Sequence, residues 1–464
     1  MSYSRQDFSQ TIVALATPAG SGALGIIRLS GPEAIAITNR VFRGKDLSKQ
    51  ATQTLHYGHI HDEEDRLIDE VMVSLFRAPR SYTGEEVIEI SCHGSDYIIQ
   101  QLIQLMLREG ARLAQPGEFT MRAFLNGKMD LSQAEAVADL IASQSESAHR
   151  IALQQMRGGF SRDIQQLRQQ LIDFASLIEL ELDFGEEDVE FANRDDLRQL
   201  VNTIQGLLRQ LIESFQLGNA IKNGISTVIA GRPNAGKSTL LNALLKEDRA
   251  IVSDIAGTTR DTIEEPLVIQ GVTFRLIDTA GIRDAQDQIE AIGVEKTLEK
   301  IRQSTVLLYV FDILDTPPEE VQADIAKLRQ DGLHILIVAN KMDLNPYNPP
   351  EAYYNDNIRP EQFITASAIH QMNIPYLTEK LYDTAIAHHL NEATTVVSNA
   401  RHYDALRQAQ ERLAAVRTGL STRLTGDLLA MDIRQALYHL GEITGEVSAE
   451  DLLGNIFGRF CIGK

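Results

Sequence analysis

Residues 231–238 read GRPNAGKS, set between a β-branched run, ISTVIAG (225–231), and a leucine-rich run, STLLNALL (238–245). A GxxxxGK[ST] loop leaving a buried strand and opening a helix restricts this stretch to one kind of architecture. The glycines let successive backbone N–H groups face phosphate oxygens, and the helix N-terminus adds its positive end. A sheet of mainly parallel strands alternating with helices is therefore expected around it. The one antiparallel feature should be the hairpin EEPLVIQGVTFRLIDTAG, turning at Gly271. TVLLYVFDI, LHILIVAN and EQFITASA read as further strands, and EAIGVEKTLEKIRQ and PPEEVQADIAKLRQ as helices.

Three more motifs follow in order: DTAG at 278–281, NKMD at 340–343 and SA at 367–368. Lys237 is placed to reach the β and γ oxygens of a nucleotide, and Ser238 to reach Mg²⁺. Asn340, Lys341 and Asp343 follow the apolar run HILIVA, and the Asp343 carboxylate can accept from both N–H donors of guanine, which adenine does not offer. The order of motifs points to GTP rather than ATP. The expected nucleotide site comprises Asn234, Ala235, Gly236, Lys237, Ser238 and Thr239, then Asp278, Thr279, Ala280 and Gly281, then Asn340, Lys341, Met342 and Asp343, with Ser367 and Ala368.

At 464 residues the chain should hold about two to four domains. Residues 1–125 mix short apolar runs (TIVALA, LGIIRLS, EVMVSLF, EVIEISC) with Gly/Pro turns and read as an α/β domain. Residues 126–223 turn helical, with Ile164, Leu167, Leu171, Phe174 and Ile178 on one stripe and Leu197, Val201, Ile204, Leu208, Leu211 and Phe215 on another. The acidic stretch between them reads as a solvated connection. After a nucleotide domain at 224–386, residues 387–464 resume helical spacing through Leu406, Ala409, Leu413 and Val416, then Leu429, Ile433, Leu437 and Leu440. The expectation is a multidomain α/β plus all-α chain, in which a Ras-like P-loop domain is inserted into a discontinuous helical domain whose halves pack together.

No run approaches the ~18 apolar residues of a membrane span, and the N-terminal segment is broken by Pro18 and glycines, so a soluble cytoplasmic protein is expected. Cys92 and Cys461 are the only cysteines, which excludes a disulfide framework, and each reads as a small buried residue. The formal charge of -20 disfavours a free-standing nucleic-acid binder, so a partner would supply much of any grip on RNA.

After DTAG, where Ras-like enzymes carry a water-orienting glutamine, this chain has Ile282, which cannot polarise water. Another group must neutralise the charge that develops at the γ-phosphoryl. The candidates are Asn234 and the segment SDIAGTTRD (253–261). The Asn234 amide oxygen and the carbonyls of Ser253 and Ile255 would surround a monovalent cation.

The chain resembles the MnmE (TrmE) family of tRNA-modification GTPases, within the TrmE-Era-EngA-like class. The resemblance runs through ATPAGSG with IIRLSG, SYTGEEVIEISCHG, QPGEFTMRAFLNGKMDLSQAEA, GRPNAGKS, AGTTRD, DTAGIR and LLGNIFGRFCIGK. It implies a K⁺ site at Asn234, Ser253, Ile255 and Thr258, within a nucleotide-contacting loop that includes Asp254, Ala256 and Gly257. Mg²⁺ ligands would be Ser238 and Thr259. Glu290 would be the catalytic glutamate orienting water, beside Lys237 and Asn234.

The resemblance further implies homodimers joined by their N-terminal domains, with nucleotide domains that meet on binding GTP and K⁺. The N-terminal domain would hold a one-carbon tetrahydrofolate, 5-formyl or 5,10-methylene, through Arg28, Glu89, Lys128 and Lys464. Cys461 would lie near that folate, carried by a short helix that a Ser448/Asp451 capping box opens. The partner would be the FAD-bearing flavoprotein MnmG, and the product a carboxymethylaminomethyl or aminomethyl group on C5 of a tRNA wobble uridine. A ribosome-assembly GTPase of the Era or Der type would need a basic RNA-binding module that the sequence lacks. A folate enzyme with a regulatory GTPase attached would act without the flavoprotein.

Overall fold

The structure, a computed structural model, describes residues 9–183, 194–247, 264–278, 299–345, 347, 349–386, 396–422, 424–447, 450–458 and 460–463. The chain divides into two compact units: Met1–Ile141, Leu153–Asn202 and Gln408–Lys464 form one, Ala142–Ala152 and Thr203–Arg407 the other.

In the first unit, β1 (Ile12–Leu15), β2 (Leu24–Ser30), β3 (Phe42–Arg43), β4 (Thr54–His61), β5 (Leu67–Phe76), β6 (Val87–His93) and β7 (Arg112–Leu113) form a sheet of order β3-β4-β5-β6-β2-β1-β7. Alternation along β5 buries Val71, Val73 and Leu75. These side chains share a core with Ile37 of α1 (Ala34–Val41) and Leu102, Leu105 and Met106 of α2 (Asp96–Arg108). The expected α/β domain is present. Strand β4 was not foreseen, because TLHYGHIH turns His56, Gly58 and Ile60 inward and so carries no apolar alternation. Its Gly58 makes room for the Phe42 ring, which a Cβ there would meet at 2.4 Å.

The sheet is followed by α3 (Glu118–Leu125), α4 (Leu131–Ala142), α5 (Glu146–Met156), α6 (Gly159–Asp183) and α7 (Arg194–Asn223). The apolar stripe of α6, Ile164, Leu167, Leu171, Phe174 and Ile178, is buried, and α6 packs along α12 (Gly426–Thr444). The two helical segments that flank the nucleotide domain thus pack together, as a discontinuous helical domain requires. Helix α13 (Glu450–Phe457) closes the unit with Phe457, which is fully buried against Met121, Leu131 and Ala134.

In the second unit, β8 (Ile225–Gly231), β9 (Glu264–Ile269), β10 (Val272–Asp278), β11 (Val306–Asp312), β12 (His334–Asn340) and β13 (Phe363–Thr365) run in the order β13-β12-β11-β8-β10-β9. All neighbours are parallel except β9 and β10. That hairpin turns at Gln270 and Gly271, both at positive φ, as a tight two-residue connection demands. Helices α8 (Lys237–Glu247), α9 (Pro318–Leu328) and α10 (Ile374–Ile386) accompany the sheet, and every residue of β11 is buried, as a parallel strand covered on both faces should be. Helix α11 (Ala400–Ser421) buries Leu406, Ala409, Leu413 and Val416. Among the described residues no helix is long and apolar enough to cross a membrane.

Candidate functional site

The phosphate loop starts where β8 ends. Gly231 takes φ 148 there, with its α-carbon so close to β11 that a Cβ would lie 1.9 Å from the Val310 carbonyl oxygen. Asn234 (φ 58) and Gly236 (φ 84) carry the turn into α8 through left-handed backbone. Lys237 is largely buried, and its Nζ donates to the carbonyls of Arg232 (2.7 Å) and Gly231 (3.1 Å). Ser238 and Thr239 are exposed in the first turn of α8, and Asn234 is exposed on the loop.

The guanine motif is tied to this loop by one buried side chain. Asn340, at the end of β12, donates from Nδ2 to the Ala235 carbonyl (2.8 Å) and accepts at Oδ1 from the Ala368 N–H (3.0 Å). A single amide thereby sets the spacing between the phosphate loop and the SA turn. Lys341, at φ 67, pairs through Nζ with Asp312 at the end of β11, and the Met342 N–H donates to Ala366. Asp343 lies 3.7 Å from His370, and the Ser367 hydroxyl beside it holds its carboxyl below the usual carboxylate range. An ionised Asp343 is what recognition of two guanine N–H donors requires.

Arg232 was not singled out from the sequence. Its Nε donates to Asp324 of α9 (3.0 Å), it pairs also with Glu320, and Asp324 accepts a 2.6 Å hydrogen bond from the Tyr309 hydroxyl of β11. Burial first, then Asp324, pushes the Tyr309 phenol upward. The arginine itself was legible in GRPNAGKS. Its acidic partners, some 90 positions away, were not.

In the first unit, the register of β2 on β6 sets Arg28 opposite Glu89, and the pair closes at 2.8 Å. The guanidinium lies over the rings of Tyr82 (5.6 Å) and Phe119 (5.7 Å) and donates to the Gly463 carbonyl at 3.4 Å. Two of the four residues expected to hold folate, Arg28 and Glu89, thus meet in space, and Gly463 of the C-terminal tail joins them. Lys128 is held separately, through a 3.0 Å bond to the Pro79 carbonyl, beside Gly84. The aromatic walls Tyr82 and Phe119 went unrecognised because nothing in their local spacing marks them. The tail is seated by Gly463, whose absent side chain leaves room for the Leu15 carbonyl, and by the Cys461 carbonyl, which accepts from the Gly117 N–H.

One expectation is corrected: Cys461 is exposed, not buried, because it follows α13 in a terminal turn held by main-chain contacts rather than by its thiol. Cys92 is buried as expected, and desolvation pushes its thiol up to about 11. Ser253, Asp254, Ile255, Ala256, Gly257, Thr258, Thr259, Thr279, Ala280, Gly281, Ile282, Glu290, Ser448 and Lys464 lie outside the described residues, as does the Asp278 side chain.

Comparison with known proteins bears on the whole chain. Residues 11–128 match the family model described as GTP-binding protein TrmE N-terminus, and residues 131–461 match the MnmE helical domain. Proteins described as tRNA modification GTPase MnmE are 54% identical to this chain in Cytophaga hutchinsonii, Christiangramia forsetii and Flavobacterium johnsoniae. Each alignment covers 98% of this chain and 98–99% of the relative. Among solved structures, a GTP-binding protein from Sulfolobus solfataricus in complex with GDP shares 17% identity over 60% of this chain and 80% of its own, with a TM-score of 0.29. With more than half of its residues identical over nearly its full length, and with the phosphate loop and guanine motif joined in one site, the chain belongs to the MnmE family of tRNA modification GTPases.

Proposed function

We propose that the protein is a potassium-activated GTPase that works with the flavoprotein MnmG, which carries FAD, to add a carboxymethylaminomethyl or aminomethyl group to C5 of the wobble uridine of certain tRNAs. The observation that carries the nucleotide half of this reading is the Asn340 bridge, which joins the Ala235 carbonyl to the Ala368 N–H and so supports phosphate and base recognition with one rigid framework. Lys237 exchanges its two carbonyl partners for β and γ oxygens, Asp343 selects guanine, and Glu290 orients the attacking water. Ser238 and Thr259 would hold Mg²⁺. The side chain of Asn234, exposed on left-handed backbone, offers an amide oxygen to a monovalent cation, a site that Ser253, Ile255 and Thr258 would complete. A monovalent cation held there would supply the positive charge that an arginine supplies in other GTPases.

The N-terminal cluster fits a one-carbon folate. Glu89 offers an acceptor for pterin N–H groups, Arg28 a planar donor fork, Tyr82 and Phe119 stacking faces, and Lys128 with Lys464 charges for the glutamyl carboxylates. Folate supplies the one-carbon unit when bound. The chain's own residues orient it and close the tail across the Arg28 guanidinium. Homodimerisation through the N-terminal domains and GTP-dependent meeting of the nucleotide domains would drive rearrangement of the complex, in the cytoplasm. Mass analysis of tRNA nucleosides from a deletion strain tests the reading. Loss of the C5 substituent is expected, and an unchanged wobble-uridine profile rules it out.

A further inference from the structure

The phosphate loop carries a second cation besides Lys237. Arg232 is the second residue of GRPNAGKS, yet its guanidinium is turned to α9, where Asp324 accepts from Nε at 3.0 Å and Glu320 closes a second pair. Asp324 is itself fixed by the Tyr309 hydroxyl at 2.6 Å, and Tyr309 stands on the central strand β11, which pairs with β8. The main chain of the same arginine does something different. Its carbonyl, with that of Gly231, receives the Lys237 ammonium.

We propose that Arg232 is a positioning residue for nucleotide binding. Clamped on α9 by Glu320 and Asp324, it fixes the first turn of the phosphate loop, so that the two carbonyls holding Lys237 cannot follow the ammonium when it moves to phosphate. A carbonyl free to move would wrap the ammonium more closely and compete with the β and γ oxygens. A fixed one keeps the exchange nearly even. The Glu320 pair does little for the fold, because the Arg232 side chain is 35% exposed and Glu320 48%, and exposed ion pairs contribute little stability. Helix α9 is held instead by its buried Val321 and Ile325. What the clamp supplies is direction: two acceptors on one helix, one of them held by the sheet, leave the guanidinium a single orientation.

Titration of the purified full-length chain with a fluorescent GDP analogue, alongside steady-state GTP hydrolysis, tests the proposal. Arg232→Ala should weaken nucleotide binding about fivefold to tenfold, the scale of one lost charge-assisted contact, and should raise KM by more than it lowers kcat. Arg232→Lys, which keeps the charge and loses the fork, should recover part of the loss. Asp324→Ala added to Arg232→Ala should cost nothing further. Unchanged affinity in Arg232→Ala, or independent addition of the two substitutions, overturns the clamp. A fall in kcat at constant KM also overturns it, since that places the guanidinium at the reacting phosphates. Glu320→Ala combined with Asp324→Ala removes both acceptors and leaves the phosphate loop's own sequence unchanged should Arg232→Ala fail to fold, and wild-type affinity in it is equally decisive against the proposal.

Discussion

Asn340 and Asp343 belong to one motif but act by different physics. Asn340 is 3% exposed and acts through its amide, bonded to one main-chain carbonyl and one main-chain N–H. Buried polar groups must be satisfied, so this side chain locks two loops whatever is bound. Gly236 is part of the same joint, since a Cβ there would meet Asn340 Nδ2 at 2.4 Å. Asp343 acts by staying charged. The Ser367 hydroxyl lowers its pKa in the folded chain, so the ionised form is present above the ordinary value of 3.8 and is lost only as pH falls through the lower folded value. The preference for GTP over ATP should therefore be constant from pH 8 down to about 5, far above that transition. Asp343→Asn, which replaces one acceptor by a donor, should weaken GTP binding by roughly 10²-fold without changing Tm. Competition titrations across that pH range check both statements, and a preference that decays near pH 6 would assign guanine selection to another group.

Helix α7 shows how one element serves two patterns. Leu197, Val201, Ile204, Leu208 and Leu211 keep the apolar spacing that the sequence announced, and all are buried. Beyond them the helix receives a chain segment that no periodicity marks. Ser214 Oγ accepts from the Val397 N–H at 3.1 Å and donates to the Leu211 carbonyl, while Phe215 stacks on Tyr403 at 4.4 Å. Gly218 lies so close to that segment that a Cβ would stand 2.1 Å from the Val397 carbonyl oxygen, which is backbone and cannot swing aside. Gly218→Ala would favour the isolated helix by up to about 1 kcal/mol, yet the overlap should leave a net loss of about 1–3 kcal/mol in chemical denaturation. A neutral or stabilised variant would show that residues 396–398 do not seat there. The same comparison explains why β11 was legible and β4 was not. TVLLYVFDI is apolar on both faces because it is central and parallel, whereas TLHYGHIH spends an inward position on a glycine that exists only to admit the Phe42 ring.

For the whole molecule, the two proposed sites should be separable by salt and by truncation. Replacing K⁺ by Na⁺ at constant ionic strength should slow GTP hydrolysis roughly ten- to a hundredfold, the order expected when a stabilising charge is misplaced. Ending the chain after Phe460 should leave hydrolysis intact and abolish tRNA modification, because it removes the Gly463 carbonyl from Arg28. Equal rates in the two salts, or a truncated chain that still modifies tRNA, would each remove one half of the proposal. The sequence alone determined the nucleotide domain, the guanine preference and the two helical stretches around it, because those rest on local spacing: glycines where the backbone must take positive φ, and apolar residues at helix or strand period. Only the tertiary structure decided that Asn340 spans two loops, that Arg232 faces α9, and that Arg28 lies between two aromatic rings and the chain's own C-terminus. Those arrangements join residues about 30 to 435 positions apart. Their energies come from burial and partner geometry, which exist only once the chain has closed on itself.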